Sequence, residues 1–85
     1  MIKIWSKILK DNKIQKDFTL SLKEFNLDNI YEYLKDICYN LKIETPIILP
    51  KHKTQLEEFS VTRFNSSDFI DYINFDFLVL EYYED

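Results

Sequence analysis

The sequence predicts an α+β domain: a mainly antiparallel sheet of three or four strands packed against one main helix. Three observations carry that expectation. Residues 27–41 have one apolar helical face, residues 2–22 alternate like a hairpin, and residues 75–83 form a run that is apolar on both sides. The length of 85 residues fits one domain spanning 1–85, and 46% hydrophobic content supplies a core without disulfides.

The helix is the clearest element. Leu27, Ile30, Leu34, Ile37, Cys38 and Leu41 fall within an arc of roughly 100° at helical spacing, with Asp28, Glu32, Lys35, Asp36 and Tyr39 opposite. Asn26 or Asp28 can cap the amino end, and Lys42 stands at the carboxyl end. Burying the six apolar side chains would contribute on the order of 10–15 kcal/mol before entropy is subtracted. A helix of this length is not stable alone, so its face needs a sheet to cover. Tyr31 and Tyr33 flank the stripe and are expected to close the core edge.

The hairpin has two competing registers. A two-residue loop at 11–12 sets Lys7 opposite Lys16 and Ile4 opposite Thr19. A three-residue loop at 11–13 sets Lys7 opposite Asp17, Ile4 opposite Leu20 and Ile2 opposite Leu22. The second is preferred, because it pairs opposite charges and gathers the aliphatics, Ile14 included, on one face. Trp5 and Leu9 then point away from the helix, between Lys3 and Lys7. An exposed indole among lysines is a candidate partner surface, as is the same Trp on a base of single-stranded nucleic acid.

The second half is less regular. Pro46 and Pro50 bracket Ile47, Ile48 and Leu49, which read as a short edge strand. Residues 51–64 read as a second, shorter helix with Leu56 and Phe59 as its apolar face. Helical spacing would put His52 and Arg63 on one side, so Lys51, His52, Lys53 and Arg63 form a candidate anion patch. Asn65 to Asp68 is a capped turn, followed by a helical turn over 68–73 that buries Phe69, Ile70 and Ile73. In the final strand Phe75, Phe77 and Val79 face one way, and Leu78, Leu80 and Tyr82 the other. A strand apolar on both faces belongs inside a sheet, here beside the first strand. Either the 51–64 segment covers the second face, or the protein dimerises through it.

Composition narrows the chemistry. There is no glycine, which removes glycine-rich phosphate cradles and dinucleotide fingerprints and leaves Asn or Asp for positive-φ turns. The frequent Ile, Lys, Asn, Phe and Tyr suggest an AT-rich coding sequence. Cys38, the one cysteine, lies on the buried helical stripe and reads as a core thiol. His52, the one histidine, has no neighbouring Cys or His for a metal site. His52 with Glu57 or Glu58 could make an acid–base pair, but any small domain contains such combinations, and Ser67 beside Asp68 lacks the base a nucleophile needs. No enzyme, cofactor or metal is expected. No apolar run is long enough to span a bilayer, and the start is not signal-like, so a cytoplasmic protein is expected.

Net charge is −4, but residues 1–23 sum to +4 and residues 64–85 to −6. Either the two ends lie side by side and attract, or they form separate surfaces. In the second case Asp68, Asp71, Asp76, Glu81, Glu84 and Asp85 form a candidate acidic surface.

Residues 2–11 (IKIWSKILKD), with Thr62-Arg63-Phe64, Asp68-Phe69-Ile70 and residues 73–78, resemble a family of small proteins of low-GC Gram-positive bacteria with no assigned activity. The resemblance transfers no catalytic residue. It draws attention to Arg63, which could pair with the acidic terminal segment. The expected function is a non-enzymatic protein-interaction module, with pairing of two copies of the chain, a homodimer, as one form of it. The alternative is a small acidic inhibitor from a phage or mobile element, acting as a nucleic-acid mimic on a host nuclease or defence protein (an anti-CRISPR-like role). A weaker one is single-stranded nucleic-acid binding through Lys3, Trp5, Lys7, Lys10 and Lys13.

Overall fold

A computed structural model describes residues 1–85. The elements in order are β1 (Ile2–Lys10), β2 (Lys13–Leu22), a 3-10 turn (Leu27–Asn29) leading into α1 (Ile30–Leu41), α2 (Pro50–Phe59), β3 (Val61–Phe64), a second 3-10 turn (Ser66–Asp68) and β4 (Phe77–Glu84). The four strands form one sheet in the order β2-β1-β4-β3, with every neighbouring pair antiparallel. This is the α+β architecture that the alternation and the helical stripe predict.

The hairpin register sets Ile2 opposite Leu22, Ile4 opposite Leu20 and Lys7 opposite Asp17, as charge and aliphatic pairing require. The turn reaches it differently from the expected three-residue loop. Asp11 and Asn12 form a two-residue loop, both at positive φ (53° and 63°), and a bulge displaces the register between Ile8 and Leu9. The turn twists with the strands, and the bulge absorbs the odd residue. One consequence is a correction. Ile14 pairs with Leu9 and joins the outer face of the sheet, not the helix-covered face with Phe18, Leu20 and Leu22.

The inner face carries Ile4, Ile8, Phe64, Leu78 and Leu80, which pack with Ile30, Leu34, Ile37, Cys38 and Leu41 of α1 and with Leu56 of α2. Asn26 caps the first 3-10 turn by accepting the Asp28 amide (3.0 Å). Lys42 ends α1 in the left-handed conformation, its amide bonded back to the Cys38 and Tyr39 carbonyls. At one end of the core Phe25 stacks on Tyr82 (4.3 Å between centroids) and tilts against Tyr33. Tyr31, by contrast, is exposed and does not close the core.

Four expectations in the second half are corrected. Helix α2 stops at Phe59, Ser60 turns left-handed (φ 62°), and residues 61–64 become β3 instead of a last helical turn. β-branched Val61 and Thr62 and the alternating burial of Thr62 and Phe64 suit a strand. Residues 47–49 add no strand; the Ile47 amide bonds the Asp68 carbonyl (2.8 Å), tying this connector to the second 3-10 turn. Residues 69–76 are not helical: Phe69 is buried against Phe75, Ile73 is half-buried, and Ile70 stands 81% exposed. Because β4 begins only at Phe77, Phe75 lies outside it and turns into the core, away from Phe77 and Val79.

Ser6 interrupts the inner face of β1. Its side chain is fully buried and its hydroxyl has no hydrogen-bond partner. An unsatisfied buried hydroxyl costs about 1–3 kcal/mol, more than the small void left by its removal. Ser6→Ala is therefore expected to raise the free energy of unfolding by about 1 kcal/mol in urea titration.

Candidate functional site

No element covers the outer face of the sheet. Both helices lie on the inner side, so α2 does not fill the role proposed for the 51–64 segment. Alternation places Lys3, Trp5, Lys7 and Leu9 of β1 on this face, beside Phe77, Val79 and Glu81 of β4, Val61 and Arg63 of β3, and Asp17 and Thr19 of β2. Val79 is nonetheless buried, screened by its cross-strand neighbours Lys7 and Arg63. Leu9, Trp5 and Phe77 are half-buried, and Ile14 and Val61 are exposed.

Trp5 is held from two sides. Its Nε1 donates to Asp17 Oδ2 (3.0 Å), and Lys7 Nζ sits 3.9 Å from the centre of its ring. Lys7 also faces Glu81 (3.5 Å), while Lys3 pairs with Asp85 (3.0 Å). The Asp85 carboxylate raises the Lys3 pKa, and Lys3 in turn lowers that of Asp85. The basic start and acidic end of the chain thus lie side by side on β1 and β4, and their opposite charges meet. Arg63 does not join them; its guanidinium lies over the Phe77 ring at 4.7 Å. Lys3 and Lys7, two of the five hairpin residues considered for nucleic acid, are occupied by carboxylates.

The other sequence-derived sites are dispersed. Of the six carboxylates, Asp68 is buried, Asp71 lies in the 69–76 segment, and Asp76 accepts the Asp11 amide at the hairpin turn (2.9 Å). Glu81 is on the outer face, and Glu84 with Asp85 lies at the far end of β4. They do not make one surface. The anion patch also divides: Lys51 and Lys53 are exposed on α2, Arg63 is across the sheet, and His52 is 0% exposed.

His52 packs on Phe64 (4.2 Å between ring centres), and its Nδ1 accepts the Leu49 amide (2.9 Å). The neutral ring must then carry its proton on Nε2, which faces Asp68 Oδ2 at 3.5 Å, too long for an ordinary hydrogen bond. That oxygen already accepts the Asn65 amide (3.0 Å). His52 thus caps the start of α2 and Asp68 caps the second 3-10 turn, the two side chains facing each other without a hydrogen bond, and exposed Glu57 and Glu58 take no part. Ser67 Oγ donates to Asn65 Oδ1 (2.6 Å), a capping arrangement. No three His, Cys, Asp or Glu side chains are grouped to hold a metal, and no helix is long and apolar enough to cross a membrane.

Two features lay outside the reach of spacing arguments. Glu44 Oε1 accepts the amides of Ile70 (3.0 Å) and Asp71 (3.3 Å), fixing a segment that has no regular structure. That segment then presents Ile70 and Tyr72 to solvent, the latter 92% exposed. No family model, curated protein or solved structure matches the chain.

Burial holds the His52 pKa below its ordinary value of 6.5, and the opposing pull of Asp68 does not overcome it. The unfolded chain therefore takes up the proton first. The stability from neutral His52 is complete above about pH 6.5 and is lost as pH falls below it. His52 is the one histidine, so urea midpoints measured between about pH 7.5 and about pH 5.5 are expected to fall with pH in wild type and to flatten in His52→Gln. Burial likewise pushes the Cys38 thiol up to about 12. Its reaction with a disulfide reagent is expected to be slower in the folded protein than in denaturant by on the order of a thousandfold.

Proposed function

We propose that the protein is a non-enzymatic protein-binding module that docks through the open face of its sheet, with a second copy of the chain among its partners. The reading rests on one observation, the pre-set indole of Trp5. Asp17 and Lys7 fix its orientation before any partner arrives, so little side-chain freedom is lost on contact. A Trp on an open face that also carries Leu9, Ile14, Val61 and Phe77 is the kind of residue on which binding energy concentrates.

Size sets the strength of the contact. Three strands roughly 27 Å long and a β3 of about half that length, about 4.8 Å apart, offer on the order of 450 Å² per copy. Two such faces bury about 900 Å² together, just under the area of roughly 1,000 Å² that a specific interface clears. The contact is therefore weak and reversible. The face carries both signs of charge, Lys7 paired with Glu81, and Asp17 and Arg63 on the two outer strands, which leaves little net repulsion between copies.

The dispersed carboxylates give no support to the nucleic-acid-mimic alternative. Light scattering over a range of concentrations is expected to show mass rising toward a dimer, with Trp5→Ala weakening association at least tenfold while its circular dichroism stays native. A wild type that remains monomeric, and that retains the same host proteins as Trp5→Ala in parallel pull-downs, would overturn the reading.

A further inference from the structure

A second surface lies on the inner side of the sheet, where the hairpin end meets the carboxyl end of α1. A cleft of about 350 Å³ opens there, and three elements bring lysines to it: Lys10 from the end of β1, Lys16 from β2 and Lys42 from the turn after α1. Gln15 and Asn74 add two amide side chains. The lining contains no carboxylate, although the chain as a whole carries a net charge of −4. None of the three ammonium groups has a carboxylate within 4.0 Å, whereas Lys3, Lys7 and Lys35 each have one.

The backbone is irregular at two of these positions. The bulge that adds a residue to β2 lies in the stretch containing Gln15, and it separates Ile14 on the outer face from Lys16 on the inner. Bulges re-aim side chains in this way. Lys42 occupies a left-handed position (φ 60°) that a β-carbon disfavours. Lys16 Nζ donates to the Leu41 carbonyl (3.3 Å), which offsets the negative pole of α1 and limits the repulsion that pole would exert on an anion. The floor is apolar, formed by Ile8 and Phe75 of the core.

From this combination we infer that the cleft binds a compact organic dianion, specifically a phosphomonoester with an apolar group. The phosphoryl oxygens lie among the three ammonium groups and the Gln15 and Asn74 amides. The apolar group rests on Ile8 and Phe75. The cleft and Trp5 are on opposite sides of the sheet, so this site can fail without affecting the docking face, and the reverse.

The test is a titration of the full chain, followed by amide NMR shifts, with phenyl phosphate and with inorganic phosphate at constant ionic strength. Saturable shifts are expected at Lys10, Gln15, Lys42 and Asn74, with phenyl phosphate roughly tenfold tighter because its ring meets the apolar floor. Lys10→Gln combined with Lys42→Gln is expected to weaken phenyl phosphate at least tenfold with an unchanged thermal midpoint. Lys51→Gln combined with Lys53→Gln is expected to leave binding intact. Shifts that do not saturate, that are as large at Lys51 and Lys53, or that survive the Lys10/Lys42 double change would overturn the site. If the Lys10/Lys42 variant does not fold, equal affinity for phenyl phosphate in wild type and Lys16→Gln would overturn it instead.

Discussion

β4 joins the two halves of this protein. On one side it pairs with β1, which with β2 and α1 comes from residues 2–41; on the other it pairs with β3, which follows α2. Leu78 and Leu80 are fully buried against the helices, so the pairing and the core form together. Remove that strand and β3, four residues long, has no neighbour. The antiparallel run of β4 along β1 also brings Glu81 to Lys7 and Asp85 to Lys3. These pairs, each with its carboxylate open to solvent, add little stability; hydrophobic burial decides the fold, and the charges accompany it.

The same strand explains the open face. A central strand needs apolar residues on both sides only when both are shielded, at least in part. On the inner side two helices do this. On the outer side Val79 is shielded by the stems of Lys7 and Arg63, long chains that cover apolar surface while their charged ends reach water. Phe77 receives the Arg63 guanidinium in the same manner. The outer face is thus a layer of side chains with no backbone element above it, and that thinness leaves Trp5 only half-buried.

Much of this was legible in the residues. The stripe from Leu27 to Leu41 specified α1 because six apolar positions at one spacing have no other good use. The far register of the hairpin followed from pairing Lys7 with Asp17. Its mechanism was not legible, because a longer loop and a short loop with a bulge lead to the same distant pairs. β3 was missed for a similar reason: four residues after a helix fit one more turn as readily as a strand, and Ser60 carries no glycine to mark the stop. That error put His52 and Arg63 on one side when the sheet lies between them. The lysine cleft draws on three separated segments, and no local pattern announces it.

Four residues, Asp11, Asn12, Lys42 and Ser60, hold positive φ without being glycine. Each β-carbon there costs about 1–2 kcal/mol of steric strain, except where Asn or Asp relieves it. Every glycine codon starts with two guanines, whereas Asn and Lys are written with two adenines. A nucleotide bias against guanine would therefore reach the backbone directly. The tight corners of this molecule would then reflect mutation pressure on its gene as well as selection on its shape, and a guanine-rich host could loosen them one codon at a time.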